Sequence, residues 1–124
     1  MTDIKIPGLD HSITIEPTSR QVTVRLGGRV IADTRRALTL REAKYPPVQY
    51  VPLEDVDSAV LQQSNHTTWC PYKGTASYYD LRVGDQVVSN ALWAYPSPHA
   101  AVEEIKDHAA FSPDRVEGIE VRDA

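Results

Sequence analysis

The chain has 124 residues, 41% hydrophobic and 24% charged, with a formal net charge of −4, which is typical of a single globular domain. The negative charge disfavours binding to nucleic-acid phosphate, and no apolar run approaches the roughly 18 residues that a membrane span needs, so we expect neither partner. The single cysteine cannot form an internal disulfide and the first residues lack a signal-peptide pattern, which predicts a cytoplasmic protein.

The first third of the chain predicts an arm followed by strands. Residues 1–10 are interpreted as an N-terminal arm, and residues 11–124 as the single domain. Apolar and polar residues alternate in two runs within residues 11–33, which is the period of a half-buried strand. The pair Gly27-Gly28 then gives a two-residue hairpin signal. Together these features predict a three-stranded meander over residues 11–33.

The middle of the chain is less regular. An alternating run predicts a strand at residues 37–42, and residues 48–52 are interpreted as extended structure that resumes after Pro46 and Pro47. Residues 53–64 place their apolar positions in a way that fits either a short helix or a strand. Residues 66–70, just before the motif Pro71-Tyr72-Lys73-Gly74, are interpreted as a turn-like stretch.

The last part of the chain contains the longest predicted hairpin. Residues 74–83 alternate over their whole length, and residues 87–96 return after a turn at Gly84 and Asp85. Capping signals predict one short α-helix near residues 98–106, and a final strand follows. The predicted fold class is therefore mainly β, a small antiparallel two-sheet or barrel-like domain with one short helix.

The residues that bind metals or phosphate in other proteins lack the necessary spacing here. The four histidines share no metal-ligand spacing, and neither a Cys-x-x-Cys pair nor a glycine-rich phosphate loop is present. Asp55 and Asp57 form an Asp-x-Asp pair that suits a divalent cation, but a capping or turn role for one of them is favoured. We expect no metal and no cofactor.

Cys70 supports two interpretations, and the sequence leaves both open. As a nucleophile it needs a neighbour that lowers its pKa, and Lys73 and His66 are the nearest along the chain. Its position between Trp69 and Pro71 is equally typical of a small buried hydrophobic residue. Tyrosines and tryptophans are concentrated around the predicted hairpin, which suits either a ligand pocket or an ordinary core.

An ordered set of motifs resembles the DUF427 family of domains of unassigned function over roughly residues 11–121. The motifs that carry the resemblance are VIADT, LREAKYPPVQYVPLEDVD, NHTTWCPYKGTASYY, ALWAYPSP and the late AAF. The resemblance implies a fold similar to the β-tent proteins, which include methionine sulfoxide reductase B and the ligand-binding domain of cereblon. Many of those carry zinc on two Cys-x-x-Cys pairs, which this chain lacks, so we carry over neither zinc nor reductase chemistry.

The polar positions within these family motifs imply a cleft that binds a small molecule, with an anionic group received by Lys73. The cleft is expected between the long hairpin and residues 42–55. The residues that the resemblance singles out are Cys70 and Glu42 as catalytic candidates, and Lys73, Tyr50, Asp55, Thr67, Tyr78, Trp93 and Tyr95 as ligand-binding candidates. The alternative hypothesis is a structural or interaction module without catalysis, which forms homodimers or binds a protein partner. The sequence names no reaction.

Overall fold

The computed structural model describes residues 4–122, and between these bounds the chain forms ten strands. The strands, in chain order, are β1 (Ile13–Pro17), β2 (Gln21–Leu26), β3 (Arg29–Thr34), β4 (Leu38–Glu42), β5 (Val48–Pro52), β6 (Leu61–Cys70), β7 (Gly74–Val83), β8 (Gln86–Ala94), β9 (His108–Phe111) and β10 (Gly118–Arg122). Three short 3₁₀ helices lie between strands, at Leu53–Asp55, Ser58–Val60 and Ala100–Ile105.

The strands form two antiparallel sheets. The larger has seven strands in the order β1-β4-β5-β9-β8-β7-β6, and the smaller has three in the order β10-β2-β3. This confirms a mainly β fold in its two-sheet form, because the larger sheet ends in the edge strands β1 and β6 and does not close into a barrel. The predicted hairpin of β7 and β8 is present, but the adjoining hairpin of β6 and β7 is longer.

The predicted meander over residues 11–33 is wrong. Gly27 and Gly28 do form the hairpin turn between β2 and β3, with positive φ angles of 63° and 71°. However, β1 pairs with β4 in the larger sheet, so β1 and β2 belong to different sheets. Alternation predicts a strand but not its partner: Ile13 and Ile15 pack on a core that β2 does not reach.

Two further local predictions need correction. Residues 66–70 are not turn-like, because they form the second half of the edge strand β6. The helix predicted near residues 98–106 is present as the 3₁₀ helix Ala100–Ile105, and non-helical angles at Val102 interrupt it. The segment of residues 53–64 contains both alternatives, two 3₁₀ turns followed by the start of β6. Strand β9 had no predicted counterpart.

The larger sheet has a hydrophobic core on each face. The first core lies between the two sheets and includes Val24, Ile31, Leu81 and Leu92. The second core lies on the other face and gathers residues of six segments, namely Leu40, Tyr50, Ala76, Tyr95, Val102, Ile105 and Ala110. The 3₁₀ helix Ala100–Ile105 supplies two of these residues. The second core matters for function because the polar motif residues surround it.

The helices of the described part of the chain are three to six residues long, and none has the length or apolar character to cross a membrane.

Candidate functional site

A partly buried charge network lies at the margin of the second core. The Nζ atom of Lys73 lies 2.6 Å from Oε1 of Glu42, and Nε2 of His11 lies 2.7 Å from Oε2 of the same carboxylate. The side chains of Lys73 and Glu42 are only 13% and 14% exposed. Glu42 therefore binds two donors that come from distant parts of the chain.

The turn between β6 and β7 determines where Lys73 points. The amide of Lys73 donates to the carbonyl of Cys70 at 3.2 Å, and its carbonyl accepts from the amide of His99 at 3.0 Å. Gly74 follows with φ at +115°, and a Cβ atom there would lie 3.3 Å from the carbonyl oxygen of Ser97. Only glycine suits this conformation and this close contact, which explains why glycine follows Lys73 in the motif.

The N-terminal arm contacts this turn. The amide of Lys5 donates to the carbonyl of Pro71 at 2.8 Å. The imidazole ring of His11 stacks on the ring of Tyr72, with centroids 4.0 Å apart and planes at 6°. These contacts hold His11, the residue that follows the arm, against Glu42, so His11 completes the charge network.

Two opposing effects act on the pKa of Glu42. Burial raises the pKa, but the hydrogen bonds and charges of Lys73 and His11 together outweigh it, so the pKa lies below its ordinary value. Glu42 is thus a carboxylate at neutral pH. Its charge compensates that of Lys73, and the pair as a whole contributes little net charge.

Two tyrosines of the second core remain protonated far above neutral pH. Burial raises the pKa of Tyr50 to about 12, and burial likewise raises the pKa of Tyr95. The carboxylate of Glu42 raises both pKa values further, and Cys70 and Tyr78 also lie close enough to interact with these phenols. We call the group formed by Glu42, Lys73, Cys70, Tyr50, Tyr78, Tyr95 and Trp93 the polar cluster.

Among residues 4–122, no side chain or carbonyl accepts the hydroxyl protons of these tyrosines. The hydroxyl of Tyr50 accepts a hydrogen bond from Nε1 of Trp93 at 3.3 Å, so its own proton is available. The hydroxyl of Tyr95 has no hydrogen-bond partner among residues 4–122, and Nζ of Lys73 lies 5.9 Å from the centroid of its ring. Unused donors that remain protonated are suited to an acceptor on a ligand.

Half-exposed aromatic rings border the cluster. The ring centroids of Tyr78 and Trp93 lie 6.3 Å apart, and those of Tyr78 and His66 lie 4.7 Å apart. The hydroxyl of Thr68 lies 3.2 Å from that of Tyr78. These residues come from the neighbouring strands β6, β7 and β8, and they form an aromatic wall beside the buried phenols.

Cys70 ends β6, pairs with Gly74, and packs half-buried against the second core. Its thiol is free and adjoins the turn that carries Lys73. A packing residue and a nucleophile are both compatible with this position, and the two interpretations of Cys70 stay open.

Two of the residues expected at the site lie elsewhere. Asp55 accepts hydrogen bonds from Thr34 at 2.6 Å and from Arg36 at 3.2 Å, so it joins β3 to the 3₁₀ turn that follows β5. Asp57 accepts from the amide of Ala59, which agrees with the capping role favoured for this pair. Thr67 is exposed on β6, and its neighbour Thr68 contacts Tyr78 instead.

Two residues that sequence reasoning missed are His11 and Thr68. His11 lies outside the motifs, and only the fold of the arm brings it to Glu42. Thr67 and Thr68 are consecutive residues of β6, so their side chains point to opposite faces of the sheet. The prediction chose Thr67 because residues 66–70 were not recognised as a strand. In the part of the chain from residue 4 to residue 122, no three His, Cys, Asp or Glu side chains come together as a metal site.

One cavity shares a residue with the polar cluster, and a second is lined by Gly74 of the turn that carries Lys73. The first has a volume of about 430 Å³ and shares Trp93, and the second has a volume of about 200 Å³ and is also lined by His99. Neither is lined by Glu42 or Lys73, so the cleft expected between the hairpin and residues 42–55 stays a prediction.

Comparison with known proteins identifies the family of the chain. A family model described as a domain of unknown function (DUF427) matches residues 14–122. This match confirms the resemblance inferred from the ordered motifs. No curated protein matches the chain.

Proposed function

This chain belongs to the DUF427 family, whose function is unknown, and from that premise we propose that the polar cluster binds a small molecule. The ligand carries hydrogen-bond acceptors that meet Lys73 and the phenols, and a flat apolar part that lies on the aromatic wall. The observation that carries the proposal is the pair of protonated phenols, Tyr50 and Tyr95, whose hydroxyl protons have no acceptor among residues 4–122.

The charges of the site limit the ligand. Lys73 is already paired with Glu42, so a strongly charged anion would have to compete with a carboxylate 2.6 Å away. A ligand with one carboxylate or carbonyl needs only part of the ammonium and finds further donors in the phenols. This supports a singly charged or neutral acceptor and disfavours a polyphosphate.

The aromatic wall favours a planar ligand. Tyr78 and Trp93 are half-exposed and lie on adjacent strands, so a ring placed against them would contact two π systems. The indole N–H of Trp93 is already donated to Tyr50, which fixes the position of the ring. The wall therefore offers apolar area in a preformed arrangement.

Thermal unfolding in the presence of benzoate, a planar carboxylate, tests the proposal. We expect benzoate to raise the melting temperature of the wild-type protein and to lose this effect in Lys73→Met, because the main donor is removed. The matched control is Lys44→Met, which removes a lysine from an exposed loop. Equal stabilisation of the two variants would contradict the proposal.

Loss of the fold could imitate loss of the ligand in Lys73→Met, since Glu42 would remain without its main partner. The double variant Glu42→Gln with Lys73→Met removes both charges and keeps the site neutral. If the double variant melts near the wild-type temperature and still fails to respond to benzoate, the lost effect concerns binding and not folding.

A further inference from the structure

We propose that a second site, which shares Trp93 with the polar cluster but lies beside β5, binds a small amphiphilic anion, an apolar chain or ring that carries one carboxylate. The site is a groove beside β5 with an apolar cavity at one end and a polar cavity at the other. The two cavities have volumes of about 430 Å³ and about 360 Å³. Volumes in this range are typical of small-molecule sites.

The apolar cavity has no charged residue in its lining. Its walls are formed by residues from four parts of the chain, mainly Val48, Trp93, Phe111, Pro113 and Ile119. It exists because β5 and β9 pair only at Val51 with Ala109 and Pro52 with His108, and the earlier residues of β5 have no partner on β9. A hydrocarbon chain or an aromatic ring is the chemistry that such a lining accepts.

The polar cavity lies on the face of β1, β4 and β5 that points away from the second core. Glu16, Thr39 and Gln49 are direct cross-strand partners, so their side chains form a row on that face. Thr18 joins the row, because its hydroxyl lies 2.9 Å from that of Thr39 and donates to Oε1 of Gln49 at 2.7 Å. The floor of this cavity is thus a connected network of hydroxyl and amide groups.

The charged groups around the polar cavity favour an anion. Arg20 and Arg41 line it together with the single carboxylate of Glu16. Among the described residues no carboxylate forms an ion pair with Arg41, whose side chain is exposed. A guanidinium at the end of an apolar cavity is suited to a carboxylate head group.

The two cavities form one groove because they share three residues. Pro47, Gln49 and Val121 line both. A molecule with its apolar part against Trp93 and Phe111 would therefore extend its polar end past Val121 towards Arg41. This continuity distinguishes the groove from a patch of exposed apolar side chains.

Titration of the ¹⁵N-labelled protein with octanoate tests this inference. We expect the side-chain amide of Gln49 and the indole N–H of Trp93 to shift together with one dissociation constant below about 1 mM. Each methylene added between butanoate and octanoate should tighten binding by about fourfold until the cavity is filled. Octylammonium, of the same length but opposite charge, should bind about tenfold more weakly. Equal binding of octanoate and octylammonium, or no shift of Gln49, would overturn the inference.

Three variants locate the site. Val121→Trp fills the groove where the cavities meet and should weaken octanoate binding by about tenfold or more. Arg41→Glu should weaken it about fivefold, whereas Arg35→Glu, an exposed arginine outside the groove, should change it less than about twofold. Because Arg41 is exposed, we expect Arg41→Glu to keep its fold. This variant therefore tests the groove even if Val121→Trp fails to fold. Equal effects of the two arginine variants would contradict the groove.

Discussion

At the scale of single residues, the charges of Glu42 and Lys73 are stabilised by each other more than by water. Each keeps less than a sixth of its side-chain exposure, so removal of one leaves a charge that is poorly hydrated. His11 contacts Glu42 at 2.7 Å, so we expect it to reduce the loss when Lys73 is removed. The network therefore resembles a three-membered unit rather than a simple pair.

A double-mutant cycle measures this dependence. We expect Lys73→Met to lower the free energy of unfolding by about 2 kcal/mol, and the double variant with Glu42→Gln to lose less than the sum of the single variants. Urea denaturation of the four proteins gives the coupling energy. Additive losses would show that the two side chains do not stabilise each other.

The pH dependence of stability follows from the lowered pKa of Glu42. A carboxyl group whose pKa is lower in the folded state stabilises the fold above its unfolded pKa and loses this contribution as pH falls. The ordinary value is 4.5, so the free energy of unfolding should decline as pH falls below about 4.5. Glu42→Gln should show a shallower decline than the wild-type protein, as measured by urea denaturation between neutral and acidic pH. Parallel curves for the two proteins would contradict the assigned shift.

The sequence predicted much of the polar cluster but not its members from outside the motifs. Glu42, Lys73, Tyr50, Tyr78 and Tyr95 were expected from the resemblance, and the fold brings them to one core. Asp55 was grouped with them because it is a polar position in one of the family motifs, yet its carboxylate has a partner on β3. His11 could not be expected, since its contact with Glu42 depends on the path of the arm.

At the scale of elements, the β6–β7 turn is the part of the fold that orients Lys73. Gly74 adopts φ of +115° with the carbonyl of Ser97 close by, whereas Gly84 in the β7–β8 turn has φ of +59° and open space around it. Both glycines lie at turns that flank the same strand, β7. They therefore form a matched pair for testing the turn.

We expect Gly74→Ala to lower the free energy of unfolding by about 2 kcal/mol and Gly84→Ala by about 1 kcal/mol. The difference arises because Gly74 has both an unfavourable φ and a close contact, while Gly84 has only the first. Thermal or urea denaturation gives the comparison. A larger loss for Gly84→Ala would show that the β6–β7 turn is not under the constraint described.

Strand positions were predictable from alternation, but strand partners were not. Alternation identified the runs that became β4 and β7. Strands β5 and β8 contribute side chains to both cores, and they were recognised as extended structure and as the return strand of a hairpin. β6 was missed because as an edge strand it buries little: most of its ten residues are exposed, so its sequence shows no apolar period. β1 was assigned to the wrong sheet, since a turn at residues 18–20 can connect strands of one sheet or of two.

At the scale of the whole molecule, one sheet supports both cores. Leu92 faces the first core and Trp93 borders the second, so consecutive residues of β8 connect the two sides. We expect the two cores to unfold together, because neither has a complete sheet of its own. The homodimer remains a prediction, which light scattering at several protein concentrations tests.

Leu92→Ala tests the connection between the cores. Leu92 is fully buried, and its truncation should lower the free energy of unfolding by about 3 kcal/mol. Val87→Ala, at an exposed position of the same strand, should cost less than about 0.5 kcal/mol. In the Leu92→Ala protein, tryptophan fluorescence and far-ultraviolet circular dichroism should give coincident transitions. Separate transitions would show that the cores are independent.

The most direct test of the account is where benzoate binds. In a ¹⁵N-resolved titration, we expect shifts at the amides of Thr68 and Gly74, which lie outside the groove beside β5. The Lys73→Met variant should lose these shifts and the Lys44→Met variant should keep them. Shifts confined to Gln49 and its neighbours would assign benzoate to the groove beside β5 and contradict a ligand site at the polar cluster.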